Sequence, residues 1–300
     1  MIRVTWSGAS RRHRPGAEHP EAEARLEGAL TALTHARLAG VRVEEHARLA
    51  TADELSTVHD AAYVTRLFAV RDVDRTIEPE TPCDEGTVLA ARASAGLALD
   101  LAEGLAHGET VGAALTRPPG HHAHPARASG YCFVNHVALA ARRCLDLFAA
   151  RIVVVDWDVH AGDGTLACLR DEPRASVVSL HEARLFPDTD DPPLVVDRAT
   201  GRCLLSRGLP PGTSDDDWRR ALDEMMTEVA AFRPDVVLVS AGYDAHRDDP
   251  MSSLELTDET YAWAARRVRA VGPRVGLVLE GGYDPAALGR ALVCTLEALS

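Results

Sequence analysis

The chain lacks long apolar runs, closely paired cysteines and an excess of positive charge, and each absence excludes a class of protein. No apolar run approaches the roughly 20 residues of a membrane-spanning helix, and the amino terminus has no apolar stretch of the kind found in secretion signals. The six cysteines include no Cys-x-x-Cys pair, which excludes thiolate metal sites and redox centres of that type. We therefore expect a cytoplasmic protein with reduced thiols and no membrane partner.

Acidic residues outnumber basic ones. The chain has 45 Asp and Glu against 32 Lys and Arg, a net charge of −13, which argues against nucleic acid as a partner and favours a cationic ligand over an anionic one. The preference for a cationic ligand is mild, because an acidic surface more often serves only solubility. With 300 residues, 46% of them hydrophobic, and no linker or internal repeat, the sequence predicts one domain over residues 1–300. The oligomeric state stays open, with a homodimer as one alternative.

Apolar runs alternate with helical patterns along most of the chain. Strands buried on both faces are predicted at residues 111–115, 152–155, 176–180, 236–239 and 275–279. Helical periodicity predicts helices at residues 86–107, 137–150, 216–232, 257–271 and 285–299. Residues 182–212 contain five prolines and are predicted to form a long loop near the strand ends. Alternating strands and helices predict an α/β fold around a mostly parallel sheet.

Polar clusters follow these strands directly, and the carboxyl ends of parallel strands gather at one edge of a sheet. Behind the run 152–155, the chain reads Asp-Trp-Asp-Val-His-Ala-Gly-Asp. Period-two alternation directs Asp158 and His160 to one side, where they could share a cation with Asp244, which follows strand 236–239. Three protein ligands leave a fourth position for water or substrate, the arrangement of a catalytic metal site. The alternatives are a helix start with acidic caps and, for Asp244, a turn residue.

Two adjacent histidines, His121 and His122, follow a Pro-Pro-Gly turn after strand 111–115. Asp156 and Asp163 could each accept the Nδ1 proton of one of them, which would fix its tautomer and form a proton-transfer pair beside the metal. Tyr283 follows two glycines, so its phenol could approach the site and donate to an oxyanion. The alternatives are two surface histidines and a tyrosine packed at a strand-to-helix turn.

Four motifs together resemble the histone deacetylase family, in particular its class II and bacterial amidohydrolase branch, which includes acetylpolyamine amidohydrolases. They are Arg-Pro-Pro-Gly-His-His-Ala at 117–123, Asp-Trp-Asp-Val-His-Ala-Gly-Asp-Gly-Thr at 156–165, Ser-Ala-Gly-Tyr-Asp-Ala-His-Arg-Asp-Asp-Pro at 240–250 and Leu-Glu-Gly-Gly-Tyr at 279–283. With weaker matches from His19 onward, the resemblance spans nearly the whole chain. It implies the arginase–deacetylase fold, a single-domain three-layer α/β/α sandwich.

The resemblance also implies a role for each site residue. Asp158, His160 and Asp244 would bind one catalytic Zn²⁺, and Tyr283 would polarise the acyl carbonyl. In the dyad, His122 would be the main general base supported by Asp163, and His121 would be supported by Asp156. Gly130, Tyr131, Phe186 and Met251 would line a narrow acyl-lysine tunnel. A structural K⁺ is implied at Asp156, Asp158, His160, Ser179 and Leu180.

Departures from the family pattern fall at the tunnel rim. Where the family has Phe-Pro-Gly-Thr-Gly, this chain has Phe-Pro-Asp-Thr-Asp at 186–190, a change expected to stiffen or reshape the rim and to attract a cationic substrate. Met251 replaces the leucine common in the class II branch. Glu80 lies near the position of a rim aspartate that grips the substrate backbone in many relatives.

The resemblance therefore implies a zinc-dependent amide hydrolase that removes an acyl group from an extended amine. Acetyl-lysine in peptides, acetylpolyamines and acylated small metabolites all fit such a tunnel. Two alternatives use the same fold. One is a ureohydrolase, which needs two manganese ions and additional aspartate ligands. The other is a non-catalytic module that binds acylated amines.

Overall fold

A computed structural model describes residues 1–148, 151–188 and 195–300. The strands are β1 (Ile2–Trp6), β2 (Val41–Glu45), β3 (Val111–Ala114), β4 (Ile152–Asp156), β5 (Ala175–Glu182), β6 (Val195–Val196), β7 (Cys203–Leu209), β8 (Val236–Ala241) and β9 (Arg274–Leu279). The helices are α1 (Glu23–Ala36), α2 (Ala52–Leu55), α3 (Ala61–Phe68), α4 (Glu85–Ala106), α5 (His136–Phe148), α6 (Asp163–Leu169), α7 (Asp215–Phe232), α8 (Asp258–Val271) and α9 (Pro285–Leu299).

The strands of the described residues form one sheet in the order β2-β1-β3-β9-β8-β4-β5-β7-β6. Each neighbouring pair is parallel except β6 with β7, which is antiparallel. The central strands β4, β5 and β8 are buried along their whole length. Their near-continuous apolar sequences fit this position, because a central parallel strand is covered on both faces.

Helices cover both faces of the sheet. Val153 and Val155 of β4 belong to the apolar core formed with α1, α7, α8 and α9, whereas Ile152 and Val154 belong to the core formed with α4 and α5. Successive side chains of a strand point to opposite faces, so the two cores occupy the two sides of the sheet. This confirms the predicted three-layer α/β/α sandwich with a mostly parallel sheet.

The predicted strands and helices are present, with bounds that differ by at most two residues where the structure describes them. The last two residues of the predicted helix 137–150 lie outside the described part of the chain. The segment 156–163 is the end of β4 followed by a turn, and α6 begins only at Asp163. The strand interpretation of this segment is therefore confirmed over the helix-start alternative.

The prediction of a long loop over residues 182–212 is wrong in part. β7 lies within this range and pairs in parallel with β5, and β6 pairs with β7. Arg207 and Gly208 interrupt the apolar pattern of β7, so the sequence carries no two-sided apolar run there. Its backbone hydrogen bonds to β5 place it in the sheet. Residues 189–194, which include the altered rim position 190, lie outside the described residues.

The first 70 residues contain elements that the apolar-run pattern did not predict. β1 is an inner strand between β2 and β3, and β2 forms a partly exposed sheet edge. Both strands carry charged residues, so neither produces the continuous apolar run of a fully covered strand. Among the helices described, none is long and apolar enough to cross a membrane.

Candidate metal and catalytic site

Parallel strands end at a common edge of the sheet, and the predicted site residues lie at that edge. A parallel sheet presents its ligand-binding crevice beyond the carboxyl ends of its strands. The predicted site residues at this edge are His121 and His122 after β3, Asp156 at the end of β4, Asp158 and His160 beyond it, Asp244 after β8, and Tyr283 after β9. The topology thus brings together segments that are more than 100 residues apart in sequence.

Asp158, His160 and Asp244 form a compact group of buried side chains. Each offers a ligand atom, and these atoms lie within 4.8 Å of one another. His160 Nδ1 is 3.0 Å from Asp158 Oδ1 and 3.3 Å from Asp244 Oδ2. Asp244 Oδ2 is fully buried without a well-formed hydrogen bond. A buried carboxylate oxygen in this condition needs a partner, and a cation would supply one.

The electrostatics of this group favour a positive charge between the carboxylates. Burial and the neighbouring Asp158 raise the pKa of Asp244 to about 7. Burial lowers the pKa of His160, but the nearby carboxylates of Asp158 and Asp244 outweigh it and raise this pKa to about 10. Two carboxylates and one imidazole are a donor set that suits Zn²⁺. The residues therefore fit the metal expected from the sequence.

Backbone groups hold two of these carboxylates in place. The Gly281 N–H donates to Asp158 Oδ2 at 2.7 Å, and the Val159 N–H donates to Asp244 Oδ1 at 2.8 Å. A Cβ atom at Gly281 would overlap the carboxyl groups of both aspartates. The glycine in the Gly-Gly-Tyr segment is thus required by the close approach of the β9 turn to the metal-site carboxylates.

The two histidines lie side by side, and each bonds to a different carboxylate. His121 Nδ1 is 3.0 Å from Asp156 Oδ2, and His122 Nδ1 is 2.8 Å from Asp163 Oδ1. The ring centroids of the two histidines are 4.0 Å apart. An ionised carboxylate can only accept, so each Nδ1 carries the proton and each Nε2 faces away from its carboxylate. This is the pairing that the resemblance implies.

The environment shifts the pKa values of the two imidazoles in opposite directions. Burial lowers the pKa of His121, but Asp158 and Asp156 outweigh it and raise this pKa well above its ordinary value. Burial and the adjacent His121 lower the pKa of His122 to about 3. The pair therefore favours a charged His121 beside a neutral His122. Groups with pKa values separated in this way are suited to act as acid and base.

Tyr283 is held at the site by contacts to its backbone and to its ring. The Tyr283 and Asp284 N–H groups donate to Asp249 Oδ2 at 2.5 and 3.0 Å. Arg25 donates to the Gly282 carbonyl, and its guanidinium lies 4.8 Å from the centroid of the Tyr283 ring. Burial raises the pKa of Tyr283 well above its ordinary value, so the phenol stays protonated and remains a hydrogen-bond donor.

A cavity of about 130 Å³ leads to this group. Its lining residues are Glu80, Pro119, His121, His122, Gly130, Tyr131, His160, Phe186, Met251 and Tyr283. The four residues expected to line the tunnel are all among them. The Phe186 ring contacts His122 edge to face, with 4.9 Å between centroids. The small volume fits a thin aliphatic chain rather than a bulky substrate.

The rim of this cavity carries negative charge, and one of its acidic residues has a left-handed backbone conformation. Glu80 lines the cavity, as its loose match to a rim aspartate suggested. Asp188, which replaces a family glycine, has a φ of 46°, in the left-handed region that glycine adopts at least cost. At this position the chain therefore combines a left-handed backbone conformation with an added carboxylate.

The residues expected to hold K⁺ are neighbours at the ends of β4 and β5. Asp156 and Ser179 are opposite each other in the two strands, and Leu180 follows Ser179. The Asp158 N–H donates to Asp156 Oδ1 at 3.1 Å, and His160 lies two residues further along the same turn. The geometry brings all five positions together.

Several residues that support the site were not singled out by the sequence. Asp249 lies within a recognised motif, but only the structure reveals its bonds to Tyr283 and Asp284. Glu280 Oε2 accepts the Gly120 and His121 N–H groups at 2.6 and 3.0 Å. Burial raises the pKa of Glu280 to about 8. The sequence does show many ionisable residues next to glycines in these segments. That pattern indicates a functional site, but it does not show which groups Asp249 and Glu280 bond to.

Comparison with known proteins identifies the family. A family model described as "Histone deacetylase domain" matches residues 19–299. The chain belongs to the histone deacetylase domain family. This histone deacetylase-like chain is 33% identical to a probable deacetylase of Archaeoglobus fulgidus, over 91% of this chain and 79% of the relative. It is 32% identical to a histone deacetylase-like amidohydrolase of Pseudomonas aeruginosa, over 95% of this chain and 77% of the relative.

Solved structures share the fold of this chain. The HD domain of HDA15 superposes with a TM-score of 0.88 at 29% identity, over 99% of this histone deacetylase-like chain and 90% of that structure. An acetylpolyamine aminohydrolase from Burkholderia pseudomallei superposes with a TM-score of 0.84 at 23% identity, over 100% and 98% of the two chains. The fold expected from the four motifs is therefore confirmed.

Proposed function

We propose that this chain is a zinc-dependent hydrolase of N-acetyl or N-acyl amides carried on an extended amine. One observation carries the proposal: the buried group of Asp158, His160 and Asp244 lies at a narrow cavity that His121, His122 and Tyr283 also line or adjoin. These are the parts that amide hydrolysis by activated water requires. Membership of a family of deacetylases and amidohydrolases supports it.

Asp158, His160 and Asp244 would hold the zinc ion through two carboxylates and one imidazole. Bound zinc supplies Lewis acidity, which activates water as a nucleophile and polarises the acyl carbonyl. His160 also lines the cavity, so a substrate in the cavity would reach the residues that would hold the metal. Burial excludes bulk water from the carboxylates and strengthens their interaction with a cation.

Proton transfer would be shared between the two histidines. His122, kept neutral and oriented by Asp163, would accept the proton from the attacking water. His121, bonded to Asp156 and kept cationic by the surrounding carboxylates, would stabilise negative charge near the reacting carbonyl. His122, protonated by the first step, would then deliver its proton to the departing amine.

Tyr283 would donate its phenolic hydrogen to the oxyanion that forms at the former carbonyl oxygen. The phenol remains protonated because burial raises its pKa. Its backbone is fixed by Asp249, so the donor is positioned before the substrate arrives. Preorganised donors of this kind account for a large share of the stabilisation of acyl-transfer transition states.

The substrate would be a cationic or neutral amine with a thin aliphatic chain. The cavity of about 130 Å³ restricts the acyl-bearing end to a narrow chain, and Glu80 at its lining attracts positive charge. The relatives named a probable deacetylase and a histone deacetylase-like amidohydrolase support an acetylated amine as the substrate. We also propose that K⁺ binds at the ends of β4 and β5 as a structural ion, because Asp156, Ser179 and Leu180 lie together there.

An activity panel with the zinc-loaded chain tests this function. The substrates are an acetyl-lysine peptide, acetylputrescine, acetylspermidine and lysines with longer acyl groups. Acetylputrescine and acetylspermidine carry free amines before hydrolysis, so chromatography with mass detection of the deacylated product follows the reaction for every substrate. Hydrolysis of at least one acetylated amine is expected. Retained binding without hydrolysis across the panel would overturn the proposal in favour of a non-catalytic binding module.

A further inference from the structure

A third histidine, His124, shares the carboxylate that orients His122. Asp163 Oδ1 bonds to His122 Nδ1 at 2.8 Å, and Asp163 Oδ2 bonds to His124 Nε2 at 2.8 Å. Burial raises the pKa of Asp163, but the two histidine hydrogen bonds outweigh it and lower this pKa below its ordinary value. The carboxylate is thus ionised and can only accept. His124 must therefore carry its proton on Nε2.

This second hydrogen bond has a geometric consequence for the first. A carboxylate bound at one oxygen can rotate about its Cβ–Cγ bond, and rotation of Asp163 would turn Oδ1 away from His122. A donor on Oδ2 removes that freedom. We propose that His124 is a positioning residue, which fixes the plane of Asp163 and so holds the tautomer and ring orientation of His122. The inference rests on the function proposed above for His122.

The loop that carries His124 is held by backbone hydrogen bonds that do not involve the His124 ring. The backbone of His124 is fixed independently, because its N–H donates to the Arg127 carbonyl at 3.0 Å and its carbonyl is 3.0 Å from His59 Nδ1. The next residue, Pro125, accepts the Asp60 N–H at 2.8 Å. A change of the ring should therefore leave the loop in place.

The charged and titratable groups near the His124 ring come from its own loop and from α6. Arg127 Nη2 lies 2.9 Å from the same Nε2 atom that contacts Asp163. A nitrogen that carries a proton cannot accept another hydrogen bond, so only the contact to Asp163 is a bond. The Arg127 guanidinium is exposed. From α6, Cys168 lies against the neighbouring Ala123 carbonyl. The orientation of the His124 ring is thus set by its hydrogen bond to Asp163, at 2.8 Å.

The test compares two variants of the zinc-loaded chain with the unaltered one. His124→Phe keeps a planar ring but removes the N–H, and His124→Gln keeps a donor near the position of Nε2. We expect His124→Phe to lower kcat about 10-fold, which is the size of effect seen when the hydrogen-bond partner that orients a site residue is removed. KM and the amount of bound zinc should not change. His124→Gln should recover most of that loss. His35→Phe, at an exposed position on α1, is the matched control.

A second readout does not depend on turnover. The Nδ1 proton of His122, bonded to Asp163, should give a protected downfield resonance in ¹H–¹⁵N spectra of the zinc-loaded chain. That resonance should be lost or broadened in His124→Phe and present in His124→Gln. Unchanged kcat and an unchanged resonance in His124→Phe would overturn the inference, as would equal losses in both variants. If the unaltered chain hydrolyses none of the panel, the proposed function fails, while the resonance still decides whether His124 positions His122.

Discussion

Tyr283 contributes a single oxygen atom to the proposed chemistry, and removal of that atom is the simplest test at the scale of one residue. In Tyr283→Phe the ring and its contact with Arg25 remain, while the donor to the oxyanion is lost. We expect zinc binding to be normal and kcat to fall by about 10² to 10³, the cost of losing one oxyanion donor. Metal analysis combined with steady-state kinetics measures both quantities.

Tyr63→Phe is the matched control, because the Tyr63 hydroxyl donates to the Phe133 carbonyl at 2.7 Å and does not line the cavity. This change should lower stability by about 1 kcal/mol, the net worth of one hydrogen bond, and leave turnover unchanged. Full activity in Tyr283→Phe would exclude the oxyanion role.

The sequence predicted that several chemically suited residues lie close together, and the structure brings them together. Asp158, His160 and Asp244 lie shortly after the buried strands β4 and β8, and the carboxyl ends of parallel strands share an edge. The partners of supporting residues were not predictable. Asp249 and the residue His124 each form a hydrogen bond to a group in another segment of the chain. A sequence pattern does not show which carboxylate oxygen accepts from which N–H group.

At the scale of elements, the turn after β9 depends on the loop after β8. Asp249 in that loop accepts the N–H groups of Tyr283 and Asp284 with one oxygen and that of Met251 with the other. Asp249→Ala removes all three bonds. Because this turn carries Tyr283, we expect kcat to fall about 10²-fold, the effect of a displacement of about 1 Å at a reacting group. Steady-state kinetics with measured zinc content checks this.

The neighbouring Asp248 provides a control at the same loop. Its carboxylate is about half exposed and pairs with Arg290 on the surface. An exposed ion pair contributes little to stability, so Asp248→Ala should change turnover by less than about 2-fold. If Asp248→Ala and Asp249→Ala reduced kcat equally, the loss would reflect general disturbance of the loop and not the support of Tyr283.

Elements with two-sided burial were predictable, and elements at the margins were not. β4 and β8 are buried along their length and begin with continuous apolar runs, because helices cover both faces of the sheet. β7 has exposed positions and an internal glycine, and β2 lies at the sheet edge with charged side chains, so neither carries that signature. Their place in the sheet depends on backbone pairing with a neighbour, which apolar periodicity does not report.

At the scale of the whole molecule, two buried neutral histidines link stability to pH. Burial lowers the pKa of His59 to about 4 and that of His136 to about 3. Both have an ordinary pKa of 6.5. Between these values the unfolded chain binds more protons than the folded chain, so the free energy of unfolding rises with pH in this window. Acidification from pH 6.5 toward pH 4 should therefore destabilise the fold.

His59→Gln isolates one of these contributions. His59 Nδ1 is 3.0 Å from the His124 carbonyl, and its Nε2 accepts the Asn135 N–H at 2.9 Å, bonds that require the neutral ring. The variant cannot be protonated. We expect the loss of unfolding free energy between pH 6.5 and pH 4 to shrink by about 3 kcal/mol, as the pKa difference implies. Urea unfolding of both chains across this range measures it, and parallel pH curves would contradict the assignment.

The fold and the family follow from motifs spread along the whole chain, but the central claim is the metal-dependent hydrolysis at one site. The most direct test is to titrate the metal-depleted chain with Zn²⁺ while following release of amine from a substrate found in the panel. We predict no activity without metal, a linear rise with bound zinc and saturation at one ion per chain. Full activity without metal, or a requirement for two ions per chain as in a ureohydrolase, would contradict the account.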